Sequence, residues 1–390
     1  MTFPNKGKPS GYCGASFSIY APAGRSQGQK LAEFLESLRG ASAPLDAKLC
    51  IARGLICACA ELQLRFGTGE AEAPLKPKLA PQLFLFLALL SASRLLALDR
   101  FEAVEPHMGS MVRIVLYARD TSQAKRAFTA AFVRVAELDS ILSDYKPDSE
   151  LNRLCASGDA RASLDLYRVL DASQHLATES DGAFDITAGP LTRLWREARK
   201  SRVLPDPGSA LALTGFTKLA LEPATRRVTL TVPGMRLDVG GIAKGFVADE
   251  ALLVLTRHGI ASAMVAASGD IAVSHPPPGR RGWDVTVELL GGTRELVLHD
   301  AAVSTAGDTE QFLELGGVRY SHILDPRTGM ALTRRIAVSV VAPAGLEADG
   351  LDTAIAVLGP ERGVALMRRH PKAWALIVTE AGAIETGRRP

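Results

Sequence analysis

Hydrophobic and polar positions follow regular patterns from about residue 100 to the C-terminus. Alternation with a period of two predicts strands, and apolar residues three or four apart predict amphipathic helices. The predicted strands span residues 108–117, 218–221, 227–232, 236–239, 264–267, 283–289, 295–298, 320–324, 336–341 and 374–379. The predicted helices span residues 124–142, 149–156, 164–179, 190–200, 242–258, 346–358 and 362–369. Runs of strands between blocks of helices indicate a single α+β domain over residues 103–390, with a mostly antiparallel sheet and flanking helices.

The first hundred residues do not share these patterns. Residues 1–74 are rich in Gly, Ala and Ser, with helices predicted only at 29–39 and 47–66, and we interpret them as an irregular or helical extension of unknown role. Residues 75–98 join a basic flank to a short apolar run and small residues, which are the three parts of a secretory signal peptide.

Two interpretations of residues 75–98 stay open. A signal peptide must be N-terminal, so the first interpretation places the true start near Leu75 and predicts a periplasmic or exported protein, with inner-membrane association left open. The second interpretation is a buried or interfacial helix in a genuine extension, and an intact N-terminus then predicts a cytoplasmic or membrane-tethered protein. The apolar run itself is short for a membrane span.

Composition narrows the classes of protein to which the chain can belong. With 390 residues, of which 47% are hydrophobic and 22% charged, it has the make-up of a folded globular protein. The formal net charge is +3 and the basic residues are dispersed, so no nucleic-acid partner is expected. Four of the five cysteines precede residue 60, so the C-terminal domain needs neither a disulfide nor a cysteine-bound metal.

A candidate metal site lies in the predicted helix 346–358. Asp349, Asp352 and Thr353 are three and four residues apart, so a helix presents their oxygens on one face. These hard oxygen ligands suit Mg²⁺, which needs only one or two protein carboxylates when substrate phosphates supply the rest. The alternative is an acidic helix start that stabilises the helix dipole, with Thr353 bonding back to a carbonyl.

A glycine turn joins the predicted strand 236–239 to a helix that carries Lys244 near its start. Glycines allow a backbone to approach a ligand closely, and the amides at a helix start favour phosphate. The spacing matches neither the dinucleotide fingerprint nor the P-loop. Phosphate binding and a purely structural turn therefore both remain open.

Three further segments carry chemistry that is ambiguous on its own. Residues 322–329 end a strand in a turn that their Asp-Pro and Thr-Gly pairs explain, and His322 is either a base or a structural histidine. Residues 180–187 bring two acids together with Phe184, whose ring can stack on a flat ligand. Residues 304–308 are small and suit the close approach of another backbone or a ligand.

Seven motifs, in this order along the chain, resemble those of the ApbE family. They are Met108-Gly109-Ser110, residues 143–152 (SDYKPDSELN), residues 181–185 (DGAFD), residues 238–245 (DVGGIAKG), Ser268-Gly269-Asp270, residues 322–329 (HILDPRTG) and residues 348–353 (ADGLDT). The resemblance extends from about residue 105 to the C-terminus and leaves residues 1–100 uncovered.

The resemblance implies a particular reaction. Members of this family are Mg²⁺-dependent FAD:protein FMN transferases, which cleave the pyrophosphate of FAD, release AMP and attach FMN through a phosphoester to a Thr or Ser of a target protein. The expected acceptor is a subunit of a redox complex. Two alternatives remain: an FAD pyrophosphatase, which passes FMN to water, and a flavin-binding protein without turnover.

The resemblance also assigns roles to residues of this chain. The residues expected to bind FAD are Met108, Tyr145, Ala183, Phe184, Asp185, Asp238, Lys244, His322 and Ile323. The expected Mg²⁺ ligands are Asp349, Asp352, Thr353 and the backbone carbonyl of Gly241. Lys244 is expected to balance phosphate charge, while His322 is the first candidate base and Asp325 the second.

One motif departs from the family pattern. Residue 268 is Ser where the family usually has the first of two glycines. A side chain there is unfavourable if the backbone needs a positive φ or approaches a ligand closely.

Overall fold

The computed structural model describes residues 98–307 and 312–390. The extension 1–74 and residues 75–97 lie outside this part of the chain, so the helices predicted at 29–39 and 47–66 and both interpretations of residues 75–98 stay predictions. Within the described ranges, no helix has the length and apolar character needed to cross a membrane.

The described residues contain 17 strands, eight α-helices and two short 3-10 helices, Ile186–Ala188 and Phe216–Lys218. In chain order, the strands are β1 (Asp99–His107), β2 (Ser110–Ala118), β3 (Asp159–Arg161), β4 (Leu219–Glu222), β5 (Arg227–Leu230), β6 (Ala263–Ala267), β7 (Asp270–Val273), β8 (Trp283–Leu289), β9 (Gly292–Leu298), β10 (Ala301–Gly307), β11 (Phe312–Leu315), β12 (Val318–Ser321), β13 (Leu324–Asp325), β14 (Met330–Ala331), β15 (Ile336–Ala342), β16 (Trp374–Thr379) and β17 (Gly382–Gly387). The helices are α1 (Thr121–Leu142), α2 (Glu150–Ser157), α3 (Leu164–Glu179), α4 (Gly189–Ser201), α5 (Gly208–Ala212), α6 (Ala243–Arg257), α7 (Gly345–Leu358) and α8 (Pro360–Met367).

An eight-stranded antiparallel sheet forms the centre of the domain, in the order β1-β2-β6-β7-β10-β15-β16-β17. A smaller three-stranded sheet has the order β3-β5-β4. Three two-stranded sheets pair β8 with β9, β11 with β12 and β13 with β14. This arrangement of helices and antiparallel strands confirms the predicted α+β fold.

Both faces of the central sheet are covered. Helices α1, α6 and α7 pack on one face, where Phe128, Phe246 and Leu116 are fully buried. The β8–β9 hairpin packs on the other face, and Trp283 and Val285 join its core there. A separate cluster around Trp195 joins α4 to the small hairpins near the C-terminal part of the domain.

Side-chain caps explain several helix starts. Asp120 accepts a hydrogen bond from the backbone N–H of Gln123, Ser149 from that of Asn152 and Ser163 from that of Leu166. Each cap satisfies an N–H that has no partner within the helix. These caps lie within one or two residues of the predicted helix starts, except for α1, which begins at Thr121 rather than at 124.

Two predicted strands are wrong in detail. Residues 236–239 are extended but pair with no described strand, because the N–H of Leu237 donates to Cys155 Sγ and that of Asp238 to the carbonyl of Ile186. The predicted strand 320–324 is interrupted between β12 and β13, so that residues 322–323 lie in a bend between strands. β1 was not predicted, and it adds residues before 103 to the sheet.

Candidate active site

Helix α7 brings two carboxylates to one point inside the protein. Asp349 and Asp352 lie one turn apart and are each 2% exposed. Asp270, at the start of β7, adds a third buried carboxylate from the sheet, and one oxygen from each of the three residues lies within 4.8 Å of the others. The predicted pair is therefore part of a cluster of three carboxylates.

Ser304 lies between two of these carboxylates. Its Oγ is 2.5 Å from Asp352 Oδ2 and also contacts Asp270 Oδ1. A hydroxyl has a single proton to donate. One of the two contacts therefore needs either a proton on a carboxylate or a nearby cation.

Burial and mutual repulsion oppose ionisation in the cluster. Burial raises the pKa of Asp349 to about 7, and the charge of Asp270 acts in the same direction. Burial and then the charge of Asp349 hold the pKa of Asp352 well above its usual value. A bound cation would reverse both effects, because an opposite charge favours the ionised form.

Lys244 faces the cluster from the start of α6. Its Nζ lies 2.5 Å from Asp270 Oδ2 and 3.8 Å from Asp349 Oδ1. Burial alone would lower the pKa of Lys244, but the charges of Asp349 and Asp270 outweigh it and raise that pKa. If all three carboxylates are ionised, they outnumber this single ammonium.

The donor set fits a hard divalent cation. Its oxygens come from carboxylates and from Thr353, which lies against Gly241: a Cβ built on this glycine would come within 3.0 Å of Thr353 Oγ1. Oxygen donors of this kind are those that Mg²⁺ prefers. The structure thus brings together all four residues predicted as metal ligands, Gly241, Asp349, Asp352 and Thr353, and adds Asp270 beside them.

A close helix crossing holds the cluster in place. Gly245 of α6 lies against Gly345 of α7, and a Cβ on Gly245 would come within 2.0 Å of the Gly345 carbonyl oxygen. The N–H of Gly245 donates to Asp349 Oδ2 at 3.0 Å. Asp249, one turn further along α6, accepts from the N–H groups of Gly345 and Leu346 and so caps α7.

A cleft of about 650 Å³ opens above the cluster, and we call it the main cleft. Its size is within the usual range for ligand sites. The predicted site residues that line it are Met108, Tyr145, Ala183, Phe184, Asp185, Asp238, Gly241, Lys244, His322, Ile323, Asp349, Asp352 and Thr353. Met108 reaches its rim from the tight β1–β2 turn, where its φ is +53°.

One wall of the main cleft is organised by Arg196. Its guanidinium lies 4.4 Å from the centre of the Tyr145 ring and donates to Asp144 and Asp238. Burial, and then the charge of Asp238, raise the pKa of Asp144 against the opposing effect of Arg196. The arginine therefore fixes the predicted residues Tyr145 and Asp238 on the same wall.

Asp185 also has a structural partner. Its Oδ1 accepts from the N–H of Thr187 at 2.8 Å and from the hydroxyl of Thr187 at 2.6 Å, which caps a short 3-10 turn. Burial raises the pKa of Asp185, and these hydrogen bonds oppose the rise. The neighbouring Ala183 and Phe184 are buried against the floor of the main cleft.

The two candidate bases differ in position. His322 and Ile323 line the main cleft from the bend between β12 and β13. Asp325 is not among the lining residues and forms two hydrogen bonds of 2.8 Å with the guanidinium of Arg327. Burial would raise the pKa of Asp325, but Arg327 outweighs it and lowers that pKa. The geometry therefore favours His322, and both assignments stay predictions.

The sequence analysis assigned no individual role to four residues of the site: Asp270, Ser304, Asp144 and Arg196. Asp270 and Asp144 lie inside two of the motifs that resemble the family. An acidic side chain beside a turn in such a motif was a signal from which a site residue could have been predicted. Ser304 and Arg196 become visible only once the strands and helices are placed, because neither belongs to a local pattern with the acids that it contacts.

A buried carboxylate cluster with a lysine and a helix start, at the base of a large cleft, defines a candidate site for metal-assisted phosphoryl chemistry. Residues 108–377 match the model of the ApbE family. The chain belongs to the ApbE family.

Relatives and solved structures agree with this assignment. The chain is 34% identical over 304 residues to the FAD:protein FMN transferase of Treponema pallidum, covering 71% of this chain and 84% of the relative. It is 28% identical to a protein of the same name from Klebsiella pneumoniae, covering 73% and 85%.

The flavin transferase ApbE of Vibrio cholerae has a similar fold, with a TM-score of 0.66 and 29% identity over 74% of this chain and 96% of that one. The flavinyl transferase ApbE of Pseudomonas stutzeri gives a TM-score of 0.65 at 30% identity over 74% and 94%. These similarities confirm the predicted family, the fold and a flavin transferase function.

Proposed function

We propose that this protein is a divalent-cation-dependent FAD:protein FMN transferase that releases AMP and links FMN to a Thr or Ser of a protein acceptor. The observation that carries the proposal is the carboxylate cluster facing Lys244 at the base of the main cleft. Phosphoryl transfer needs positive charge around its phosphates, and this site holds a lysine and ligands for a cation.

Gly241, Asp349, Asp352 and Thr353 would hold Mg²⁺, with Asp270 beside them. When bound, the cation neutralises charge that develops on the pyrophosphate oxygens. Lys244 adds a second positive centre, and the N–H of Gly245 at the same end of α6 donates to Asp349 and holds that carboxylate in place.

The residues of the main cleft position FAD for attack. Tyr145, Met108 and Phe184 offer flat or polarisable surfaces for its rings, and Arg196 keeps Tyr145 in place. The acceptor hydroxyl oxygen forms a bond to the FMN phosphorus, and the bond from that phosphorus to the AMP oxygen breaks. The hydroxyl proton passes to a base, for which His322 is the first candidate.

The test is AMP release from FAD by the purified protein, with and without Mg²⁺ and a candidate acceptor domain. Asp349→Ala is expected to lower AMP release by about 100-fold or more, because charge neutralisation by a cation contributes several kcal/mol. Asp171→Ala, on the exposed side of α3, is the matched control and should behave like the wild type.

Each outcome of this test is informative. FMN mass on the acceptor, with release that needs Mg²⁺ and Asp349, supports the transferase. AMP release without labelling indicates an FAD pyrophosphatase using the same site. FAD binding without any AMP would leave a flavin-binding protein and contradict the proposal.

We further propose that the protein is exported from the cytoplasm, either free in the periplasm or associated with the inner membrane. This proposal rests on the signal-like composition of residues 75–98. The N-terminus of the mature protein, determined by mass spectrometry, is expected near residue 98. An intact Met1 would contradict export by this route and support a cytoplasmic or membrane-tethered protein.

A further inference from the structure

A second cleft, of about 550 Å³, adjoins the main cleft, and we call it the side cleft. Its walls are the end of β8 and the start of β7, and its floor is the end of β10. The two clefts share six lining residues: Lys244, Ser268, Asp270, Thr305, Ala306 and His322. They therefore meet at the lysine and the carboxylate cluster, where the reaction is proposed to occur.

The side cleft has a different chemical character from the main cleft. Of the residues that line only the side cleft, Glu288 is the charged one, and the others are glycine, aliphatic or neutral polar residues such as Thr286 and Ile271. A second phosphate-bearing ligand would meet the carboxylate of Glu288 and no additional positive charge. An uncharged polymer backbone would meet no such repulsion.

The floor of the side cleft is an open sheet edge. The ladder between β10 and β7 stops at the pair Val303–Ile271, whereas the ladder between β10 and β15 continues to the pair Gly307–Ala337. On the β7 side, residues 305–307 have no strand partner in the described part of the chain. Unpaired backbone groups at a sheet edge can accept an extended peptide as an added strand.

The geometry points to the side cleft as the binding site for the acceptor, in the form of an extended segment that carries the Thr or Ser. This inference rests on the proposed function, since FMN transfer to a protein needs two substrates at one reaction centre. FAD occupies the main cleft, and the acceptor segment lies along residues 305–307 beneath Thr286 and Glu288. Its hydroxyl reaches the shared region next to Lys244 and His322.

Two variants alter the side cleft without changing the residues of the reaction centre. Glu288→Arg places a long cation over the cleft from an exposed position on β8. Gly307→Leu fills the floor, and the fold tolerates its Cβ, whose nearest contacts would be Ala337 Cβ and the Ile336 carbonyl oxygen, both at 3.6 Å. Asp284→Arg is the matched control, because it reverses the same charge on the same face of β8, outside both clefts.

The probe is a pool of heptapeptides with a fixed central Thr, in which the other positions are randomised without Ser or Thr, and a second pool carries Val at the centre. We expect the wild type to attach FMN to the Thr pool alone. Each cleft variant should raise the KM for peptide by about tenfold, corresponding to the loss of about 1.4 kcal/mol of binding. The KM for FAD should stay as in the wild type and in Asp284→Arg.

A second measurement does not depend on turnover. The best-labelled peptide, made with Val in place of Thr, should slow hydrogen exchange within residues 305–307, at the amides that point away from β15, in the wild type and not in Gly307→Leu. Two results would overturn the side cleft as the acceptor site. One is exchange that the peptide slows only outside residues 305–307, and the other is a peptide KM that equals the wild-type value in both cleft variants.

Two outcomes separate this inference from the proposed function. AMP release by the wild type without labelling of any peptide would overturn the extended-segment assignment and leave FAD cleavage intact. If the wild type releases no AMP under any condition, the proposed function is wrong. The assignment of an acceptor segment to the side cleft then has no basis either.

Discussion

Asp352 shows how single residues define the character of this site. It is 2% exposed, faces Asp349 and Asp270, and accepts a hydrogen bond from Ser304. These surroundings raise its pKa, so the ionised side chain lowers stability in the absence of a cation. A bound cation would favour the ionised carboxylate, so the proposed function accounts for a group that is unfavourable on its own.

The variant Asp352→Asn tests this account, because it keeps the shape of the side chain and removes its charge. In EDTA at pH 7, we expect its Tm to exceed that of the wild type by about 2 °C, since repulsion within the cluster is relieved. The rise in Tm that MgCl₂ produces in the wild type should be lost. Thermal melts in both buffers measure the two effects, with Asp171→Asn as the control. A variant that kept the Mg²⁺-induced rise would contradict a role for Asp352 in cation binding.

Ser268 shows that a departure from a family motif can be interpreted physically from the sequence. A side chain at position 268 was expected to be unfavourable if the backbone there has a positive φ. Ser268 does have a positive φ, of +63°, in the turn between β6 and β7. A non-glycine residue pays about 1–2 kcal/mol for this conformation. The strained residue lies where the main cleft and the side cleft meet, since Ser268 lines both.

Among the elements, helices α6 and α7 determine where the carboxylates lie. Their contact at Gly245 and Gly345 leaves no room for a side chain, and the hydrogen bond from Gly245 to Asp349 crosses it. Burial raises the pKa of the capping residue Asp249 to about 6, although its hydrogen bonds to the start of α7 oppose the rise. The spacing of the two helices is therefore set by backbone contacts at the site itself.

Gly245→Ala is expected to be strongly destabilising. Its Cβ would come within 2.0 Å of the Gly345 carbonyl oxygen and 2.9 Å of Asp349 Cβ, so the helices would have to separate. Overpacking of this kind costs about 3 kcal/mol or more in the free energy of unfolding, measured by urea denaturation. Gly292→Ala is the control, since a Cβ there meets nothing within 4 Å. Equal stability of the two variants would show that the helix crossing adapts.

Local sequence patterns predicted the helices and strands themselves better than they predicted which strands pair with one another. The predicted ranges 164–179, 283–289 and 374–379 coincide with α3, β8 and β16, because each combines a clear period with an end signal. The edge strands β1 and β17 escaped prediction, since many of their residues are exposed and polar. Residues 236–239 looked like a strand, but their N–H groups bond to a cysteine and to a carbonyl outside any ladder.

The candidate site was predictable only where its residues stand close together in sequence. Asp349, Asp352 and Thr353 share a helix, so periodicity alone placed them on one face. Asp270 and Ser304 come from neighbouring strands, and only the order of the sheet puts them beside α7. No periodic pattern encodes that order, which follows from the packing of the whole domain.

For the molecule as a whole, His370 links pH to stability. Its Nδ1 lies 2.9 Å from Glu347 in α7, and its Nε2 lies 3.0 Å from Glu179 at the end of α3. The hydrogen bond with Glu347 raises the pKa of His370, with Glu179 adding to the effect and burial opposing it. The protonated histidine thus joins two helices that are far apart in sequence.

The folded pKa of His370 is higher than its ordinary value of 6.5, so protonation stabilises the folded state. This contribution is complete below pH 6.5 and is lost as the pH rises through the folded-state pKa. We expect the Tm to fall across that window less steeply in His370→Gln than in the wild type. His175→Gln, at an exposed position on α3, should keep the wild-type profile. Parallel profiles for wild type and His370→Gln would rule out this linkage.

The proposed reaction centre is assembled from four separate stretches of chain: Lys244 on α6, Asp270 on β7, Ser304 on β10 and the acids of α7. Contacts between residues so distant in sequence form late, because loop-closure entropy must first be overcome. A chain that is still being synthesised consequently holds no complete centre until α7 has been made and has packed against the sheet. The carboxylates, the lysine and the serine thus come together in one step of folding, and a partly folded chain offers a cation no complete set of ligands.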